Sequence, residues 1–183
     1  MNEKNDIYIA KEWFSFARNI DNMDNQKDIF EFIIYWIAFN RLYNSFSNKA
    51  FEWEKIREYI GDKYKSNPKY FKKLYNSTNN SDINILIKYP ILNKGENICE
   101  NIDYMNKRIL NEREEWSLTI YQDYHKKNKS NDEEKSKDLF EMIYKVRCNL
   151  IHGGKEVDVE RDRELIRASR NIMKSFLEQV AFK

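Results

Sequence analysis

Lys27-Asp28-Ile29-Phe30-Glu31-Phe32-Ile33-Ile34-Tyr35-Trp36-Ile37-Ala38-Phe39-Asn40-Arg41-Leu42-Tyr43-Asn44-Ser45-Phe46 decides the fold. Its apolar residues recur at helical spacing yet occupy nearly every face, the pattern of a helix surrounded by other helices. Glu31 interrupts the most apolar run, which falls far short of the roughly 20 apolar residues of a membrane span. The segment therefore reads as the centre of a bundle rather than as a membrane anchor. Four glycines, two prolines and no Asn-Gly or Asp-Gly turn leave the chain without the punctuation of hairpins. The expected class is all-α.

Working outward, residues 7–20 place Ala10, Trp13, Phe14, Ala17 and Ile20 on one helical face, and the polar stretch 21–26 ends that helix. A third helix over 50–60 is expected to stop near Gly61. Asn67-Pro68 then has the form of an N-cap followed by proline at the first helical position, opening a short helix through Tyr75. The Ser/Asn-rich stretch 76–82 and Tyr89-Pro90 read as breaks. Ile98, Ile102, Met105 and Ile109 restore helical spacing past Trp116, and 126–130 reads as an exposed link. Ser130-Asn131-Asp132-Glu133 has the capping-box pattern, and the helix it opens carries Leu139, Ile143, Val146 and Leu150 as one stripe. After Gly153-Gly154, Asp158 is suited to cap a last helix. Leu165, Ile166, Ser169, Ile172, Met173, Phe176, Leu177 and Val180 face inward there, and Arg163, Arg167, Arg170 and Lys174 face out.

At 183 residues the chain is most simply a single domain, 1–183. Thirty-two basic and 30 acidic side chains leave a net charge of +2, so the overall field selects neither nucleic acid nor membrane. Anion binding must come from local clustering. The heavy aromatic content, 15%, argues for a packed core and against disorder. Cys99 and Cys148 match neither a disulfide framework nor a zinc spacing, and with two histidines they leave too few ligands for a structural metal. No metal and no cofactor are expected. The cysteine usage suits a reducing, cytoplasmic compartment, and the acid-bearing first 30 residues do not resemble a secretory signal.

Chemistry gathers in Tyr144-Lys145-Val146-Arg147-Cys148-Asn149-Leu150-Ile151-His152-Gly153-Gly154-Lys155. A cation, an amide and an imidazole stand here at a helix exit, ahead of a Gly-Gly stop. This Arg-x4-His arrangement resembles the signature of HEPN domains (higher eukaryotes and prokaryotes nucleotide-binding). A second stretch, Trp36-Ile37-Ala38-Phe39-Asn40-Arg41-Leu42-Tyr43, looks like the Trp-x-Ala-Phe-Asn-x-Leu-Tyr pattern of many bacterial HEPN proteins. The two stretches cover 27–46 and 139–182, and 62–130 is read as a family-specific insertion with additional helices.

The resemblance implies a HEPN-like helical bundle that forms a homodimer through its motif helices. It also implies a metal-independent endoribonuclease, of the kind that serves as a toxin or phage-defence effector, with an antitoxin or defence-system partner. Arg147, Asn149 and His152 are the expected catalytic residues. His152 would move protons near neutral pH, Arg147 would stabilise charge on the phosphate, and Asn149 would orient the imidazole or the phosphate. Lys145 and Lys155 flank them as candidate RNA-phosphate contacts. At about 100° per residue, Arg147 and His152 lie roughly 140° apart on one helix. An isologous dimer, which duplicates every residue it uses, is therefore favoured for bringing them together. Two alternatives stay open: a non-catalytic HEPN-fold module that binds nucleotide or RNA and dimerises, and a plain helical interaction protein.

Overall fold

The computed structural model describes residues 3–18, 26–76, 81–88, 132–151 and 160–183, and every regular element among them is helical. The protein is all-α. In chain order the helices are α1 (Glu3–Arg18), α2 (Lys27–Phe46), α3 (Glu52–Ser66), α4 (Pro68–Asn76), α5 (Ser81–Lys88), α6 (Asp132–Ile151) and α7 (Glu160–Phe176). A π-helical turn, Leu177–Ala181, extends α7. No helix among the described residues is long and apolar enough to cross a membrane.

α2 packs against α1, α3 and α7, while α6 lies against α3 and α7, and α5 against α7. Its apolar surround explains this placement: Phe32, Tyr35, Trp36, Phe39 and Tyr43 form one buried aromatic face of α2, and Ile34, Ala38 and Leu42 carry the burial round to the adjoining side. Phe39 is the hub. Its ring lies 5.4 Å from Trp36, 5.8 Å from Tyr59 of α3, 5.6 Å from Phe140 of α6 and 5.8 Å from Phe176 of α7. Phe140 and Phe176 close the cluster at 4.8 Å, edge to face, the geometry that aromatic quadrupoles favour.

Charge bridges fasten the same pairs of helices. Arg41 of α2 reaches Asp6 of α1 at 2.5 Å, and Arg167 of α7 reaches Asp28 of α2 at 2.9 Å. Arg170 of α7 pairs with Asp28 and Glu31 of α2. Between α3 and α6, Arg57 meets Glu134, Asp138 and Glu141 at 2.5, 2.9 and 2.6 Å. The α7 arginine row is thus engaged in ion pairs with acids of α2 and its own first turn.

Two expectations are corrected. Trp13 is not on the buried face of α1; it is 40% exposed and stands edge to face with Phe16, whereas Ala10, Phe14 and Ala17 are buried. Gly61 does not end α3, which continues to Ser66. A Cβ there would come within 2.9 Å of Lys137 Cε, so the glycine permits close approach of α6 rather than a stop. The start of α4 at Pro68, the inward stripes of α6 and α7 and the extent of α2 agree with the periodicity. The expected helix around 98–124 and the link at 126–130 lie outside the described residues, as do the capping residues Ser130 and Asp158.

Glu141 yields a pH-dependent expectation. Burial pushes its carboxyl from 4.5 up to about 7, against the opposing charge of Arg57 and with Asp138 adding to the rise and Lys145 reducing it. A carboxyl that holds its proton more tightly folded than unfolded contributes stability that is full below its unfolded pKa and lost as pH climbs through its folded one. In urea unfolding, wild-type stability therefore declines relative to Glu141→Gln from about pH 5 to about pH 8. Identical pH slopes for the two proteins would contradict this.

Candidate functional site

α2 ends at Phe46, where the Ser47 N–H donates to Tyr43 O at 3.0 Å. After five intervening residues Glu52 begins α3, where the free amides of a helix N-terminus favour an acid. This short reversal returns Glu52 over the last turns of α2. Its Oε1 accepts from the Tyr43 hydroxyl and, at 3.3 Å, from Asn40 Nδ2. The Tyr43 hydroxyl itself accepts from Asn40 Nδ2 at 2.6 Å. Burial pushes Tyr43 far above an ordinary phenol, and the hydrogen bond and charge of Glu52 push it further, so it remains a donor.

α6 brings Arg147 to the same place. Arg147 Nη1 lies 3.7 Å from Glu52 Oε2 and 3.8 Å from Cys148 Sγ, and the guanidinium carbon stands 5.7 Å from the centre of the Trp36 ring. Tyr144, one turn earlier, faces Trp36 at 6.0 Å. Burial is the largest single influence and works against the charge of Arg147, but Glu52, Cys148 and Tyr43 together outweigh it and the pKa moves up. Tyr144 is raised by burial and then by the Cys148 thiol. The guanidinium is thus a held cation, one-fifth exposed at the rim of the α2–α3–α6 junction.

Two donors here are unspent: Trp36 Nε1 and Arg147 Nε are buried with no hydrogen-bond partner among the described residues. Each such group costs about 1–3 kcal/mol. Hydrogen bonding at Nε therefore does not hold Arg147 in place; the ring beneath it and the carboxylate beside it do.

The expected site residues divide. Arg147 stands in this junction, paired with Glu52. Asn149 is buried on another side of α6, since two residues of helix turn it about 160° from Arg147. Lys145 is also buried, near Glu141. It is not the solvated cation that a phosphate contact calls for, because the side chain is buried with its charge near Glu141. Cys148 is half-buried and free. His152, Gly153, Gly154 and Lys155 lie outside the described residues. Sequence reading missed Glu52 altogether, because its importance comes from a reversal of the chain and not from any motif of its own.

The Trp36–Arg147 contact is measurable by a double-mutant cycle. Trp36→Leu, Arg147→Met and the double variant should show a coupling of about 0.5–2 kcal/mol in unfolding free energy. Strict additivity would mean that the stacking contributes nothing. Compared with protein-family models, curated proteins and solved structures, the chain finds no match.

Proposed function

We propose that this protein is a HEPN-like, metal-independent endoribonuclease. The observation that supports this reading is the meeting in space of two stretches far apart in sequence: Trp36, Asn40 and Tyr43 of α2 surround the same junction as Tyr144 and Arg147 of α6. These are the stretches that carry the resemblance. A packed helical bundle has no need to gather its two most distinctive motifs around one partly exposed arginine.

In the proposed reaction an RNA 2′-hydroxyl attacks its own 3′-phosphate, the P–O5′ bond breaks, and a 2′,3′-cyclic phosphate and a free 5′-hydroxyl result. His152 moves the protons, the task to which an imidazole is suited near neutral pH. Arg147 stabilises the charge developing on the non-bridging oxygens. Asn149 and Lys145, buried within one chain, support the helix in this reading rather than touch RNA, and Lys155 remains a candidate phosphate contact. Ile151, half exposed at the end of α6, supports a homodimer joined through the motif helices, where an uncovered apolar side chain is buried by a second copy. A toxin or phage-defence role with a neutralising partner follows from the family resemblance alone.

One observation favours the second reading, a non-catalytic RNA-binding module: Arg147 already has a carboxylate partner in Glu52. Cleavage separates the two. Single-stranded RNA incubated with the wild type in excess EDTA should be cut, and His152→Ala and Arg147→Ala should each be slower by at least about 10²-fold. Inertness of all three proteins, with RNA still retained by each, would favour binding alone. Loss of wild-type cutting on chelation would overturn the metal-free mechanism.

A further inference from the structure

A line of hydrogen bonds runs through the junction with every donor pointing the same way. Lys55 Nζ donates to Asn44 Oδ1 at 2.8 Å, and Asn44 Nδ2 donates to Asn40 Oδ1 at 3.0 Å. Asn40 Nδ2 donates to the Tyr43 hydroxyl at 2.6 Å, and that hydroxyl donates to Glu52 Oε1. Glu52 is the end of the line, and its other oxygen faces Arg147. In such a series each link polarises the next and stiffens the acceptor at its end.

We propose that Glu52 is the positioning residue of the site: it fixes the guanidinium of Arg147 for phosphate, a role that rests on the ribonuclease reading. The division of labour between its oxygens carries the inference. Oε1 is spent on Tyr43 and Asn40, both on the central helix α2, so the carboxylate cannot swing. Oε2 is left for a cation on another helix. Arg147 has a long flexible stem, no acceptor at Nε among the described residues and a ring beneath it that attracts charge without setting its rotation. Glu52, with the weaker Cys148 Sγ acceptor at 3.8 Å beside it, sets its orientation in the plane of the ring. The contact is a single one at 3.7 Å, not a bidentate clasp, so the guanidinium keeps donors for the non-bridging oxygens of a phosphodiester.

The test uses Glu52→Gln, which keeps the shape and the acceptor for Tyr43 but removes the charge. Tyr43→Phe, which frees the carboxylate without altering either member of the pair, serves as the second variant. Both are assayed on a single-stranded RNA oligonucleotide in EDTA. Each should lose about 10- to 100-fold in kcat, the usual consequence of loosening a group that holds another in place. KM should stay within about threefold, because substrate binding is not what is lost. A merely structural residue would lower melting temperature and leave kcat of the folded fraction intact.

An independent readout is the Arg147 Nε–H signal in spectra of arginine-labelled protein, assigned by its loss in Arg147→Lys. The signal should be protected from exchange in the wild type and move to the exposed-arginine region in Glu52→Gln. Unchanged kcat in both variants, or an Arg147 signal indifferent to Glu52, would overturn the positioning role. If the wild type cuts no RNA the ribonuclease reading fails, and this signal still decides whether Glu52 fixes Arg147.

Discussion

The packing of Phe39 against Phe140 and Phe176 is the constraint on which the rest depends. Three helices from separate parts of the sequence present one large ring each to a common point, and aromatic rings of this size cannot slide without opening a void. That contact sets how far along α2 the helix α6 lies. Phe140 against Phe39 leaves Tyr144 facing Trp36, and Arg147, three residues further on, over the same indole. The position of the guanidinium is a consequence of core packing several ångströms away.

Around this core the charged residues act chiefly as selectors of neighbour. Ion pairs taken partly out of water bring little net stability, since desolvation offsets attraction, but a wrong pairing would strand a charge. Arg57 among three acids of α6, and Arg170 between Asp28 and Glu31, match the charges of α3 to α6 and those of α7 to α2. Arg147 differs from these. Its partner is farther away, and its cation rests on a ring.

Much of the fold was legible because it is written in local periodicity. The all-round apolar pattern of residues 27–46 identified the central helix, and the stripes ending in Leu150 and Val180 identified the inward faces of α6 and α7. Trp13 was misread because it sits at the edge of its helical stripe, where a large ring can turn outward. Gly61 was misread because a glycine that stops a helix and one that admits a neighbouring lysine are identical in sequence. Of the site, Arg147 and the α2 motif could be picked out, but Glu52 could not: nothing local predicts that five residues of reversal return its carboxylate to Tyr43. Nor could spacing predict that Lys145 is buried, since a lysine inside an interhelical charge cluster reads like one in water.

The account turns on RNA cleavage by an internal nucleophile at the junction where the two motif stretches meet. The chemical ends of the products are its most direct measure. Wild-type protein incubated with a defined single-stranded RNA under chelation should leave 2′,3′-cyclic phosphate on one fragment and a 5′-hydroxyl on the other. Fragments bearing 3′-hydroxyl and 5′-phosphate ends would contradict it, because they require attack by water or another external group and leave the 2′-hydroxyl no part in the reaction.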